Sequence, residues 1–358
     1  MLNTPRADQL QQNPRRITQA IAGDPLLGPF INLPGVWSNE APLERRGWNM
    51  IALPFSGSPS GYRLLMNQFE ETLTVTVADK GVPNRGLGTR PDPATGDQTI
   101  VALDYEQLIS QIAVDDFPVT TLTRTIPKPI HHEPGLFLNM ANKVNDDLVI
   151  ARLGTIPHGD SVLALGRVTN VDGRSTIPKF SGLPIGLGAD DEVLTDADPA
   201  NPSYMDPYKH FHHNPFKGVE GPGFPGFDPV DPIQLLILGA SGLNIVRSTV
   251  LDFDTTLQTG GIINIPFITE TANATEMRSI FWIHELSDLD AHGDPVMVLQ
   301  YAQIVMLEFF QRRDRRPGLI KWPHVSINTM RRATKASVTV AQMLNEGIDP
   351  LRPTENAP

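Results

Sequence analysis

PIHHEPGLFLNMANKVNDDLVIARLGTIPHGDSVLALG, residues 129–166, is the stretch that decides the fold. It contains three apolar segments of strand length, 135–141, 148–153 and 161–165, and polar turns separate them. Histidines and acids therefore stand where strands begin and end. This arrangement is typical of an antiparallel β-barrel that binds a ligand at its mouth.

Further strand-like segments lie on both sides of this stretch. They are 48–53, 62–69, 72–77, 98–114, 245–253, 277–286 and 296–310. In 72–77 three apolar residues face one side and three threonines the other, as in a half-buried strand. The segment 98–114 is either one long bent strand or a strand followed by a short helix. Long helices between the segments are missing, so we predict a mainly β protein, an antiparallel barrel of about ten strands.

Composition divides the rest of the chain. Residues 1–45 form a predicted N-terminal arm, and 46–180 and 233–332 form one discontinuous barrel. Between the two parts, 181–232 is rich in Pro, Gly and His, and we interpret it as an insertion loop or a lid. Residues 333–358 are predicted as a C-terminal helix and tail, because apolar residues recur there at helical spacing.

Charge and composition favour some partners and disfavour others. The chain has 358 residues, no Cys and a formal net charge of −11, which makes nucleic acid an improbable partner. A run of about 18 apolar residues, the length of a membrane span, is absent. The N-terminus also lacks the apolar core of a secretion signal, so we expect a cytoplasmic protein. The oligomeric state is left open.

Two turns of the 129–166 stretch carry the candidate catalytic residues, His132, Glu133, His158 and Asp160. An imidazole beside a carboxylate is suited to general acid and base catalysis. The same residues also have a structural interpretation, because Asp160 is suited to capping a turn and Glu133 to holding a backbone amide.

Aromatic and polar residues on the strands are the candidate ligand-binding residues. They are Trp48, Tyr105, Phe137, Trp282, His284, Gln300 and Tyr301. Alternation puts His284 on one face with Trp282 and Glu285 on the other with Phe281, and one of these faces is interior. The segment 296–310 is largely apolar on both faces, so it is buried on both sides. His210 and His212 have a spacing seen in metal sites, but an exposed polar run is the more common meaning of such a cluster in a loop.

Three short motifs resemble a known family. They are Pro34-Gly35-Val36-Trp37, Phe69-Glu70-Glu71 and His132-Glu133-x-Gly135. They look like parts of calycin-type, nitrobindin-like β-barrels, which are also similar to fatty-acid-binding-like proteins. The resemblance implies a calycin-like barrel that binds haem or another apolar molecule, with a His near the C-terminal end of the barrel on the iron. The matching strand 296–310 has no His, so His324 is the expected metal ligand, with His284 and Tyr301 as alternatives.

The favoured function is therefore binding of a hydrophobic small molecule inside a barrel, with haem as one candidate. The alternative is an enzyme on a hydrophobic or aromatic substrate. Such an enzyme is either peroxidase-like with haem or cofactor-free with a His/Glu acid–base pair. A third hypothesis is a structural or interaction protein that contacts partners through its long loop and tail.

Overall fold

The chain folds into a closed antiparallel β-barrel. The computed structural model describes residues 25–39, 47–84, 86, 96–120, 128–142, 147–156, 158–187, 204–312 and 314–333. The strands are β1 (Gly35–Ser38), β2 (Gly47–Pro54), β3 (Tyr62–Asn84), β4 (Gln98–Phe117), β5 (Lys128–Met140), β6 (Ile150–Gly154), β7 (Ser161–Asp172), β8 (Ile245–Asp254), β9 (Gly261–Ile263), β10 (Asn273–Leu289), β11 (Pro295–Gln311) and β12 (Leu319–Arg332). The helices are α1 (Asp206–His213), α2 (Gln234–Gly239) and α3 (Pro266–Thr271). A 3₁₀ turn spans Pro25–Phe30. The predicted mainly β class and antiparallel barrel are confirmed.

Ten of these strands close the ring. Their order is β2, β3, β4, β5, β6, β7, β8, β10, β11 and β12, and the pairing of β12 with β2 completes it. The short β1 lies in line with β2 between the same two neighbours, since Trp37 is opposite both Leu73 and Arg332. The other additional strand, β9, pairs with β7. Every pairing is antiparallel, as expected for strands joined by hairpins.

The strand β4 settles the ambiguity over residues 98–114, because it runs unbroken from Gln98 to Phe117. Its burial alternates: Tyr105, Gln107 and Ile109 are buried, while Leu108 and Ser110 are exposed. Long alternating strands of this kind have one face in the lumen and one face outside. The face that each residue occupies therefore decides whether it can take part in a site inside the barrel.

One half of the lumen is filled by aromatic side chains. The ring centroid of Phe137 lies 4.7 Å from that of Tyr105, 5.7 Å from that of Phe253 and 5.6 Å from that of Phe281. The 3₁₀ turn closes this end, and its Phe30 ring lies 5.9 Å from Phe137. Edge and tilted contacts of this type are favourable between aromatic rings. This end of the barrel is a packed core.

The described part of the 181–232 insertion packs on the outside of the barrel. Trp48, which points outward from β2, stacks on Phe224 with ring centroids 5.2 Å apart. On β3, Gln68 donates a hydrogen bond to Glu220 at 2.8 Å. The helix α1 lies in this region, so part of a segment poor in predicted regular structure is helical. The insertion therefore covers the barrel wall along β2 and β3.

Several predicted regions lie outside the described residues. They are the helix and tail at 334–358, residues 1–24 and 40–45 of the predicted arm, and residues 188–203 of the insertion. None of the helices in the described part of the chain is long and apolar enough to cross a membrane.

Candidate ligand-binding site

The half of the lumen opposite the aromatic core is a cavity of about 680 Å³. Its lining comes from the inward faces of the strands and is both apolar and polar. The apolar residues are Ile51, Leu53, Leu65, Phe69, Ile109, Ile130 and Ile156. The polar residues are Asn49, Arg63, Asn67, Gln107, Gln111, His131, Tyr301, Gln303, His324 and Ser326. The lumen is thus more polar than the apolar cavity expected from the sequence.

Alternation along β5 puts one of two adjacent histidines in the cavity. Phe137 faces the lumen, so Glu133 and His131 share its face, and His131 lines the cavity. His132 faces outward, its side chain is 58% exposed, and its Nε2 lies 3.1 Å from Glu106 on the outer surface. His132 was the residue predicted for the site, whereas the structure brings His131 into the cavity.

His131 contacts the buried residue Glu133, and we call His131, Glu133, Arg152 and Tyr105 the Glu133 cluster. Arg152 Nη2 donates to Glu133 Oε1 at 2.9 Å, and the Tyr105 hydroxyl donates to the same oxygen. His131 Nε2 lies 3.2 Å from the other carboxylate oxygen. Burial alone would raise the pKa of Glu133, but Arg152 and the hydrogen bonds outweigh it and lower the pKa below its ordinary value. The carboxylate is therefore ionised and paired.

A second buried carboxylate, Glu71, is held by hydroxyl and amide donors. Glu71 accepts hydrogen bonds of 2.7 Å from the Tyr301 hydroxyl, from Gln107 Nε2 and from Asn328 Nδ2, and we call these four residues the Glu71 cluster. Burial raises the pKa of Glu71 above its ordinary value, and the three hydrogen bonds offset only part of that rise. The lumen therefore contains two carboxylates whose surroundings shift their pKa values in opposite directions.

His324 lies on β12, in the part of the cavity wall next to β2. Asn49 Nδ2 donates to His324 Nε2 at 2.6 Å and also to Ser326 Oγ at 2.7 Å. Burial lowers the pKa of His324 to about 4. A neutral imidazole held by an amide can take part in ligand hydrogen bonding without adding charge to the cavity.

The other two predicted catalytic residues occupy the turn between β6 and β7. The His158 ring lies at the mouth, with its centroid 4.7 Å from that of His131, and burial lowers its pKa. Asp160 is buried away from the cavity, and its Oδ1 accepts a hydrogen bond of 2.8 Å from the Ile265 amide just before α3. Burial raises the pKa of Asp160. Its position is that of a structural residue that fixes the start of α3.

The predicted ligand-binding residues are divided between the two faces of the wall. Tyr301 lines the cavity, and Tyr105 and Phe137 lie in the core beneath it. The remaining four, Trp48, Trp282, His284 and Gln300, face outward. His284 Nε2 donates to Gln300 Oε1 at 3.2 Å, and burial lowers the pKa of this ring to about 4. Gln300 Nε2 in turn donates to the Leu236 carbonyl of α2 at 2.7 Å, so this group joins α2 to the outer wall of the barrel.

The candidate iron ligands do not fit haem in this arrangement. His324 has its Nε2 bonded to Asn49, His284 lies on the outer face, and the Tyr301 hydroxyl donates to Glu71. The described residues also contain no group of three or more His, Asp or Glu side chains placed to hold a metal ion. His210 stacks on Phe117 at 4.2 Å between ring centroids, while His212 lies 3.0 Å from Asp228, so these two histidines do not converge on one point.

Sequence reasoning missed several residues of the site. They are Glu71, Gln107, His131, Arg152, Gln303 and Asn328. A signal was present for Glu71, because it has the same parity as Leu73 and Val75 on the buried face of its strand. No comparable signal marked Arg152, whose partners come from strands distant in the sequence.

Comparisons of the chain with models of known protein families, with curated proteins and with solved structures gave no match. The closed ring of ten antiparallel strands is consistent with a calycin-like fold.

Proposed function

We propose that the chain binds a small uncharged organic molecule, with apolar faces and at least one hydrogen-bonding group, in the open half of its barrel. One observation carries this proposal: aromatic side chains fill one half of the lumen, whereas the other half is a cavity of about 680 Å³. A volume of this order is typical of sites for drug-sized ligands. The resemblance to nitrobindin-like barrels favours the same general class of function.

The wall supports an apolar ligand. Ile51, Leu65, Ile109 and Ile156 contribute aliphatic surface, and Phe69 contributes an aromatic ring. Burial of apolar surface stabilises a complex by roughly 25 cal/mol per Å², so contact with this wall provides the main attraction. Polar groups among the lining residues then fix the orientation of the ligand.

The charges support an uncharged ligand. Arg63 at the rim is already neutralised by Asp116, whose Oδ2 lies 2.7 Å from Arg63 Nη1. Deeper in the lumen the guanidinium of Arg152 is paired with Glu133. An ionic ligand would need an unpaired opposite charge to offset its loss of hydration. Amides such as Gln107 and Gln303 instead suit carbonyl and hydroxyl groups.

Titration with Prodan, an uncharged naphthyl ketone whose emission reports the polarity around it, tests the proposal. We expect saturable binding with a blue shift, and Ile109→Trp should weaken it at least about tenfold because the larger indole projects into the space that the ligand would occupy. Leu108→Trp, one residue along β4 and on the outer face, is the matched control and should leave binding unchanged. Equal affinities in all three proteins, or absence of binding in the wild type, would contradict the proposal.

A further inference from the structure

The hydrogen bonds around His131 define which of its nitrogens is basic. Glu133 is paired with Arg152 and ionised, so its oxygens act only as acceptors. His131 Nε2, 3.2 Å from Glu133 Oε2, is therefore the donor in this contact. In the neutral ring Nδ1 then carries the lone pair. His131 is a cavity-lining base oriented by a buried carboxylate, which is the arrangement that general-base catalysis requires.

The guanidinium of Arg152 also orients the side-chain amide of Gln303, which is a hydrogen-bond donor. Arg152 Nη1 donates to Gln303 Oε1 at 2.6 Å, so the amide oxygen is occupied from within the wall. Gln303 lines the cavity, and its NH₂ group is the branch that remains for a ligand oxygen. Arg152 thus holds both the partner of the base and the donor group. A binding pocket alone has no need of this buried ionic arrangement, because apolar residues of similar volume are often as stabilising.

We propose that the cavity floor catalyses proton transfer at a carbon next to a carbonyl group, with His131 as the base and Gln303 as the donor to the carbonyl oxygen. This inference rests on the proposed function, since the substrate is the bound uncharged molecule. The substrate class is a small ketone with apolar faces, and the reaction is enolisation or isomerisation without a cofactor.

The atoms and electrons balance within the substrate and His131. Nδ1 removes a proton from the carbon next to the carbonyl, and the C–H electron pair forms a carbon–carbon double bond. The carbonyl π pair moves to oxygen, which accepts a hydrogen bond from Gln303 Nε2. The imidazolium, stabilised by Glu133, then returns a proton to the same carbon or to a conjugated one. No oxidant, reductant or second substrate is consumed.

Exchange of the C2 protons of 1-tetralone in D₂O, followed by proton NMR, tests the step with a defined probe. We expect the wild-type protein to accelerate exchange and His131→Gln to slow it by about 10²-fold, within the usual range for a general base. His132→Gln is the matched control, because the neighbouring ring lies on the outer face, and it should exchange at the wild-type rate. If His131→Gln fails to fold, Gln303→Leu takes its place, and it should slow exchange at least about tenfold.

Saturation-transfer NMR on the same samples separates binding from catalysis. Bound 1-tetralone whose exchange is not accelerated, or is equally fast in wild type and both cavity variants, would overturn the inference and leave the proposed function standing. If 1-tetralone does not bind while Prodan does, exchange of the Prodan protons next to its carbonyl is measured instead, and exchange that the protein does not accelerate would overturn the inference. Failure of both probes would overturn the proposed function itself.

Discussion

Glu133 and Arg152 form an ion pair of 2.9 Å inside the barrel, with side chains 0% and 2% exposed. Such a pair is stable only when further hydrogen bonds compensate both groups for lost hydration. Glu133 also accepts from Tyr105 and His131, and Arg152 also donates to Ser279 and Gln303. The pair therefore links the aromatic core below it to the cavity above it.

Removal of the Arg152 guanidinium should lower the stability of the protein. Arg152→Met leaves Glu133 buried without its partner, and we expect the free energy of unfolding in urea to fall by about 3–5 kcal/mol. The matched control is Arg278→Met, which breaks an ion pair of 2.8 Å between Arg278 and Asp252 on the exposed outer surface. That variant should lose less than about 1 kcal/mol. Equal losses in the two variants would show that the buried pair has no special role.

The two buried carboxylates should give opposite pH dependences of stability. The pKa of Glu71 is raised above 4.5, which means that the folded state favours the protonated side chain. The stability that this protonated group contributes is fully present below pH 4.5 and is lost as the pH rises. Glu71→Gln should therefore gain stability relative to wild type between pH 4.5 and 7. The pKa of Glu133 is lowered, so its contribution is present above pH 4.5 and is lost as the pH falls. Glu133→Gln should be less stable than wild type above pH 4.5, with the difference shrinking below it. Parallel slopes in urea titrations at several pH values would refute the assignment.

His284 and His324 should remain neutral well below the pH at which a free imidazole is protonated. Burial lowers both pKa values to about 4. Because the unfolded chain takes up these protons near pH 6.5, stability should fall as the pH drops from 6.5 towards 4, by roughly 3 kcal/mol per ring. Proton NMR of the ring C–H signals gives the pKa values directly. Titration of either ring near pH 6.5 would show that the ring is hydrated.

Substitution of Phe224 tests whether the insertion stabilises the barrel wall or closes the cavity. Phe224→Ala removes the ring that stacks on Trp48 at 5.2 Å, and we expect a loss of about 3 kcal/mol in stability. Prodan affinity should not change, because this contact lies on the outer face of β2. Phe267→Ala, at a side chain that is 70% exposed, is the control and should change stability by less than about 0.5 kcal/mol. Lost Prodan binding in a stable Phe224→Ala protein would instead make the insertion a lid.

The fold could be predicted because its signals are local. Alternation in 72–77 and the turns of 129–166 each depend on neighbouring residues, and they led to the antiparallel barrel. The site was harder to predict because the insertion buries part of the outer wall. Trp282 and Phe281 are both buried, one on each face of β10, so hydrophobicity alone does not identify the inward one. His132 rather than His131 was predicted for the site because Leu136 and Phe137 are both apolar, so the sequence did not distinguish the two faces of β5.

Methyl NMR of the protein with Prodan tests the central claim most directly, because it reports where in the barrel a ligand lies. We predict chemical-shift changes at the methyl groups that line the cavity, which are those of Ile51, Leu65, Ile109, Ile130 and Ile156. Exposed methyl groups elsewhere, such as those of Val246 and Leu289, should be unaffected. Bound Prodan that shifts only the exposed methyl groups and leaves the cavity signals in place would contradict the account.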